Sequence, residues 1–207
     1  MIVTEITELT KARVRVELDG EFAFVLYKGE LRVYGIEKER EMKEAAYNEI
    51  MNSLLPKRAK LRAMNLLKNR SYTTAQLKEK LKAGEYPEKI IEEAIAYVTS
   101  FGYVDDSRYA FDFIEYHKET KSKNRIVTDL LKKGISGAMI EEAWKEAAGD
   151  DRQELEKKQI IRWMEKKHFL PQTAAATEKQ KMMAFLYRKG FTIETIRSVL
   201  SLDITTN

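Results

Sequence analysis

One helix-turn-helix pattern occurs three times between Leu77 and Leu200, and it constrains the fold more tightly than any other feature of the chain. The first copy places apolar residues at Leu77, Leu81, Tyr86, Ile91, Ala94 and Ile95. The second uses Ile126, Leu130, Ile135, Ile140, Ala143 and Trp144, and the third Met182, Leu186, Phe191, Ile196, Val199 and Leu200. The internal offsets are the same in each copy: four, five, five, three and one. The copies begin 49 and then 56 residues apart. Such a period marks tandem helical units, each too small to bury its own apolar face. Chains of this design offer a long surface to a partner and seldom enclose a catalytic pocket.

The punctuation repeats as well. Gly84-Glu85, Gly134 and Gly190 fall just past the second helix of each unit, where a left-handed residue closes a helix. Pro87, Ser136 and Thr192 open the third helices. Thr73 and Gln76 have the spacing of a capping box. First helices are expected near residues 57–69, 107–118 and 153–167. The first carries Leu61, Met64 and Leu67 or Lys68 on one side, the second Tyr109, Phe113 and Tyr116 inward, and the third Ile160, Ile161, Trp163 and Met164. The loop from Phe169 to Thr177 accounts for the wider second spacing, and the tail from Asp203 to Asn207 should fray.

Ahead of the repeats the pattern is β. Val14, Val16 and Leu18 alternate with Arg13, Arg15 and Glu17; Asp19-Gly20 then supplies a hairpin turn, and Phe22, Phe24 and Leu26 resume the alternation. Residues 2–8 can add a third strand. A lone hairpin is marginal in water, so this module should lean on a helix expected from about Lys38 to Leu54. Pro56 marks the expected end of that helix. The predicted architecture is mainly α: three tandem three-helix repeats in a curved array, over 56–104, 105–150 and 151–207. A small β-hairpin plus helix module precedes them, over 1–55.

Composition narrows the chemistry. The 207 residues contain no Cys, which removes disulfides, thiolate metal sites and cysteine nucleophiles. No apolar run approaches the roughly 18 residues of a membrane span. Met1 leads straight into a polar strand-like segment, so no secretory leader is expected. A cytoplasmic monomer is the expectation, with the open hairpin edge as a surface able to pair. Residues 56–104 carry ten basic and five acidic groups, and 151–207 carry eleven and seven. Residues 105–150 carry eight and ten, so the first and third units are basic and the middle one is not. This distribution suits a polyanion or an acidic protein surface.

No catalytic constellation accompanies this. The P-loop and dinucleotide-binding patterns are missing. His117 and His168 lie on different units, and Glu115 and Glu119 do not share the helix face of His117. No enzyme, metal or cofactor is expected. The sharpest local signal is GYVDDSRYA, from Gly102 to Ala110, which reads as a glycine helix exit, an aromatic plug and an Asp cap joining units one and two.

The hairpin leader, the three tandem units and this motif together resemble the RecX family of bacterial recombination regulators. The motif positions are Gly102, Tyr103, Asp105, Asp106, Arg108 and Tyr109. The third-unit ending, Phe185-Leu186-Tyr187-Arg188-Lys189-Gly190-Phe191, is also similar to that family. The resemblance implies a non-enzymatic modulator of the RecA recombinase. Such a protein lies in the groove of the RecA–DNA filament and restrains ATPase and strand exchange, with weak nonspecific DNA contact. The implied contact surface is basic and spread over the repeats. The candidate contacts here are Lys57, Arg58, Arg62, Lys121, Lys123, Arg125, Lys132, Lys166, Arg188 and Lys189. The net acidic middle unit departs from a uniformly basic strip. Three-helix units of this size also resemble Myb-like repeats, which would make the chain a direct DNA-binding protein. The third helices, however, carry Glu88, Glu92 and Glu93, and Glu141, Glu142 and Glu146, which oppose entry into a DNA groove.

Overall fold

The computed structural model describes residues 1–148 and 152–202, so the expected frayed tail lies outside the described residues. Three strands, β1 (Val3–Glu8), β2 (Arg13–Leu18) and β3 (Glu21–Tyr27), form an antiparallel sheet in the order β1-β2-β3. Asp19 and Gly20 both take positive φ, 50° and 86°, as a tight two-residue hairpin requires. Val14, Val16 and Leu18 are buried as the alternation foretold. Phe22 is not, and is 42% exposed. A register shift between Val16 and Glu17 breaks the alternation there, and Phe22 lies under the Arg15 guanidinium, 5.2 Å from the ring centre.

The helix expected from Lys38 begins later. The backbone of 39–42 is occupied with the chain start: Val3 N–H donates to the Arg40 carbonyl at 2.9 Å, Glu39 N–H to Val3 at 2.7 Å and Met42 N–H to Met1 at 2.9 Å. These bonds cover part of the β1 edge that the sequence left open. An unanticipated helix, α1 (Lys28–Tyr34), precedes this segment. None of its residues is fully buried, though Leu31 and Tyr34 pack against the core, and its ends are well defined. The Glu30 carboxylate accepts from Tyr27 N–H at 2.7 Å, and Gly35 closes the helix at φ 62°.

Pro56 does not end the next helix. Backbone helicity runs from α2 (Glu44–Glu49) through one π-turn (Ile50–Leu54) into α3 (Leu55–Leu67). Within a regular α-helix the proline ring meets the carbonyl four residues earlier. Here the turn is widened, Leu55 N–H reaching back five residues to the Ile50 carbonyl, so the proline passes without a break.

The repeats follow as α3 with α4 (Thr74–Lys82) and α5 (Glu88–Ser100); α6 (Asp106–His117), α7 (Lys123–Leu131) and α8 (Gly137–Ala148); α9 (Arg152–Lys166), α10 (Ala176–Arg188) and α11 (Ile193–Leu202). Every residue of the threefold apolar pattern is buried except Tyr86, which is half-buried. Thr73 and Gln76 form the expected capping box, Thr73 Oγ1 accepting from Gln76 N–H at 3.2 Å. Gly134 and Gly190 take the left-handed slot at φ 84° and 92°. In the first repeat Glu85 fills that slot at φ 59°, a conformation unusual for a residue with a Cβ. Its carboxylate meets Arg15 of β2 at 2.7 Å.

Three first-helix residues face solvent against expectation: Leu61 (52% exposed), Tyr116 (81%) and Ile161 (44%). On α3 the small Ala59 and Ala63 take the inward stripe with Leu55, which lets α5 approach closely. On α6 Ala110 and Ile114 take it, and on α9 Ile160 and Met164, each pair one helical turn apart. One apolar core joins the sheet, α2, α3, α4 and α5, and two further cores lie within the second and third repeats. Met1–Asp105 forms one compact unit, and a second begins at Asp106.

Candidate partner-binding site

The motif that joins the first two repeats is closed by backbone geometry. Gly102 takes φ 68°; its N–H donates to the Thr99 carbonyl at 2.9 Å and Tyr103 N–H to Val98 at 3.0 Å. This paired bond ends α5, and only a residue tolerant of left-handed φ fits there. Val104 is buried beneath it, while the Tyr103 ring stacks on Phe101 with centres 5.9 Å apart. Arg108 pairs with Asp112 one turn further along α6, Nε to Oδ1 at 3.0 Å, and Tyr109 stacks on Phe113. Asp105 lies just ahead of α6, and Asp106 opens it.

The candidate cations fall into distinct groups. Four are engaged internally. Arg58 pairs with Glu30; Lys123 reaches Glu141 at 2.9 Å; Lys121 and Arg125 share Asp129, at 3.0 and 3.3 Å. Lys57, Arg62, Lys132, Lys166, Arg188 and Lys189 have no carboxylate partner among the described residues.

The fold brings Lys121, Arg125, Arg188 and Lys189 together, from α7 and its lead-in and the end of α10. They line a cleft of about 300 Å³ between the second and third repeats. Its floor includes Trp163, whose ring lies 4.6 Å from Lys189 Nζ and edge-on to Phe185 at 5.4 Å. Three hydrogen bonds from two side chains fasten the repeats here. Ser122 Oγ donates to the Lys189 carbonyl at 2.8 Å, and the buried Gln159 amide donates to the carbonyls of Lys118 and Lys121. The backbones approach so closely that a Cβ on Gly190 would lie 2.6 Å from Ser122 Oγ. A second, more open cleft of about 840 Å³ holds Lys166 and Arg188 with Lys167, His168 and Lys181. Arg58 and Arg62 lie elsewhere, in a cavity they share with Arg13 and Lys80. Lys57, Lys123 and Lys132 line none of these three clefts. Reasoning from basic runs missed Arg13, Lys80 and Lys181, although Lys11-x-Arg13-x-Arg15, Lys78-x-Lys80-x-Lys82 and Lys179-x-Lys181 carry the alternating signal that could have found them. Trp163 was read as a packing residue, and it packs and lines the cleft at once.

Electrostatics around the first cleft respond to acid. Burial opposes ionisation of Asp129, but the Lys121 hydrogen bond and the charges of Lys121, Arg125 and Lys132 outweigh it and hold the carboxyl below its usual range. His117, one helix away, is held below its ordinary 6.5 by burial first and by Lys121 second. The unfolded chain therefore binds the proton more readily than the folded one, so stability falls as pH drops through about 6.5. Urea midpoints at pH 7.5 and 5.5 should show this loss, and His117→Gln should shrink it.

The comparisons with known proteins agree on one family. The family profile for the RecX first three-helix domain matches residues 59–97, and that for the third three-helix domain matches 154–200. The regulatory protein RecX of Caldanaerobacter subterraneus is 31% identical over 204 residues, spanning 98% of this chain and the whole of that protein. The chain belongs to the RecX family. The regulatory protein RecX of Clostridioides difficile is 29% identical over 97% of this chain and 94% of its own. Two solved RecX structures share the fold. One has a TM-score of 0.62 at 23% identity, covering 96% of this chain and 98% of its own. The other, from Lactobacillus salivarius, has a TM-score of 0.62 at 19%, covering 74% and 99%. These RecX relatives are named regulatory proteins. No helix among the described residues is long and apolar enough to cross a membrane.

Proposed function

We propose that this chain is a non-enzymatic, cytoplasmic regulator that acts as a monomer on the RecA–DNA filament, restraining its ATPase and strand exchange in recombinational repair. RecX membership supports a regulatory role. The observation that carries the contact surface is the cleft between the second and third repeats. There Arg188 and Lys189, unmatched by carboxylates among the described residues, flank Trp163 beside Lys121 and Arg125. Unmatched cations on a fixed frame bind phosphates or acidic side chains without first breaking internal pairs. The Ser122 and Gln159 hydrogen bonds that fasten the repeats hold the frame still, which lowers the ordering cost of binding. Lys57, Arg62, Lys132 and Lys166 are further proposed contacts, and Arg58 and Lys123 are available once their partners yield. Motion of filament subunits during ATP turnover is what such a bound protein would obstruct.

Reading of DNA sequence by α5 and α8 fits poorly, because Glu88, Glu92, Glu93, Glu141, Glu142 and Glu146 are all exposed. Nonspecific DNA contact would be weak and would fall steeply with salt. The test is ATP hydrolysis by RecA on single-stranded DNA with the wild-type chain or the double variant Arg188→Glu/Lys189→Glu. Wild type should inhibit at stoichiometric amounts, and the variant should need at least about tenfold more protein, the loss of roughly 1.4 kcal/mol or more of contact. Unchanged hydrolysis with wild type would refute the reading.

A further inference from the structure

Between the sheet and the first repeat lies a cavity of about 430 Å³, within the range of small-ligand sites. Four cations line it: Arg13 from β2, Arg58 and Arg62 one turn apart on α3, and Lys80 on α4. Two are fixed in place. Arg13 donates to the Gly84 carbonyl at 2.7 Å, and Arg58 pairs with Glu30 while lying 4.7 Å from the Tyr27 ring centre. Glu85, also in the wall, is matched by Arg15. With those pairs set aside, Arg13, Arg62 and Lys80 remain as three charges unmatched by any carboxylate among the described residues.

The remaining wall is aromatic. Tyr27 and Tyr86 both line the cavity, and neither phenol oxygen has a hydrogen-bond partner among the described residues. Burial raises the Tyr86 hydroxyl above its ordinary range, while Arg58, Arg13 and Arg62 pull it the other way. That hydroxyl is therefore a proton donor at neutral pH, set in the field of three guanidiniums. Gly84 lets the Tyr86 ring lie there, since a Cβ would come within 3.0 Å of it.

Three unmatched cations leave a carboxylate short by two charges. A terminal phosphate carries about −1.5 to −2 near neutral pH and three acceptor oxygens, and a diphosphate carries more. We propose that this cavity binds a terminal phosphate of the nucleotide class. Arg62 and Lys80 grip the phosphate, Arg13 and Arg58 supply fixed field, and a tyrosine face takes the base. The phosphate can belong to a free nucleotide or to the 5′ end of a DNA strand. No residue of this cavity lines the cleft that carries the proposed filament contact, so nucleotide binding here and ATPase inhibition by the Arg188/Lys189 cleft can fail independently.

Calorimetric titration of the full chain tests it, with ADP, pyrophosphate, and a 12-mer oligothymidylate with and without a 5′ phosphate. The variants are Arg62→Glu/Lys80→Glu, the conservative Arg62→Lys/Lys80→Arg, and Lys57→Glu as an exposed cation outside the cavity. Both mutated residues are exposed, so the fold should be retained, and circular dichroism checks it. ADP and pyrophosphate should bind wild type and Lys57→Glu alike, at least tenfold more weakly to the charge reversal, and near normally to the conservative pair. Displacement of ADP by the phosphorylated strand alone would support the site and name a strand end as a source. Absence of ADP and pyrophosphate binding would overturn the proposal. So would equal binding by the charge reversal, or equal displacement by the unphosphorylated strand.

Discussion

Gly190→Ala is expected to destabilise the second unit by about 3 kcal/mol. Two penalties add. The φ of 92° lies where a side chain is strained, and the new Cβ would meet Ser122 Oγ at 2.6 Å. The hydroxyl cannot simply swing away. It caps α7 by accepting from Arg125 N–H and donates to the Lys189 carbonyl. Moving it would release a helix end and an inter-repeat bond together. Trp144 and Trp163, the chain's two tryptophans, both lie after Asp106, so tryptophan fluorescence in urea follows this unit. The midpoint should fall clearly. Introducing Gly190→Ala into a Ser122→Ala background should cost less than in wild type, because the steric share is gone while the backbone strain stays. An additive cycle would mean that the close approach contributes nothing.

Leu81→Ala should cost about 2–5 kcal/mol, and its effect should spread beyond its own repeat. Leu81 is fully buried in the core shared by the sheet and the first repeat. Strands and helices there have no separate apolar interiors, so the sheet should melt with α4 and α5 rather than survive them. Far-ultraviolet circular dichroism should report an earlier transition, while tryptophan fluorescence, which does not see this unit, should hold its midpoint. A sheet that outlasts the helices, followed by exchange of the β2 amides, would contradict a common core.

The sequence made the repeats legible because two independent signals coincide there. Apolar spacing located Leu130 and Leu186, and the glycine at 134 or 190 told where each helix stops. What escaped was whatever depends on the company a residue keeps. Helix α1 spans seven residues and sets only Leu31 and Tyr34 against the core, neither fully buried, so its apolar spacing is too short to stand out, and Glu30 and Gly35 define its ends. Leu61 was read inward because leucine is the apolar choice, yet the face that α5 touches needs the smaller Ala59 and Ala63. The apolar framework thus came from the chain order, whereas the charged surfaces did not. Arg13 and Lys80 are 67 positions apart and meet only once the sheet has packed on the repeat.

The π-turn ahead of Pro56 acts as a phase shifter between two stretches of one rod. In an ordinary helix, residues five apart point about 140° away from each other. The wider turn brings Ile50 and Leu55 round to the same interior, both almost wholly buried. Losing one residue from 50–54 would turn everything downstream by roughly 100°. Arg58 and Arg62 would then swing out of register with Arg13 and Lys80, so five residues of irregular winding set the aim of a cationic face.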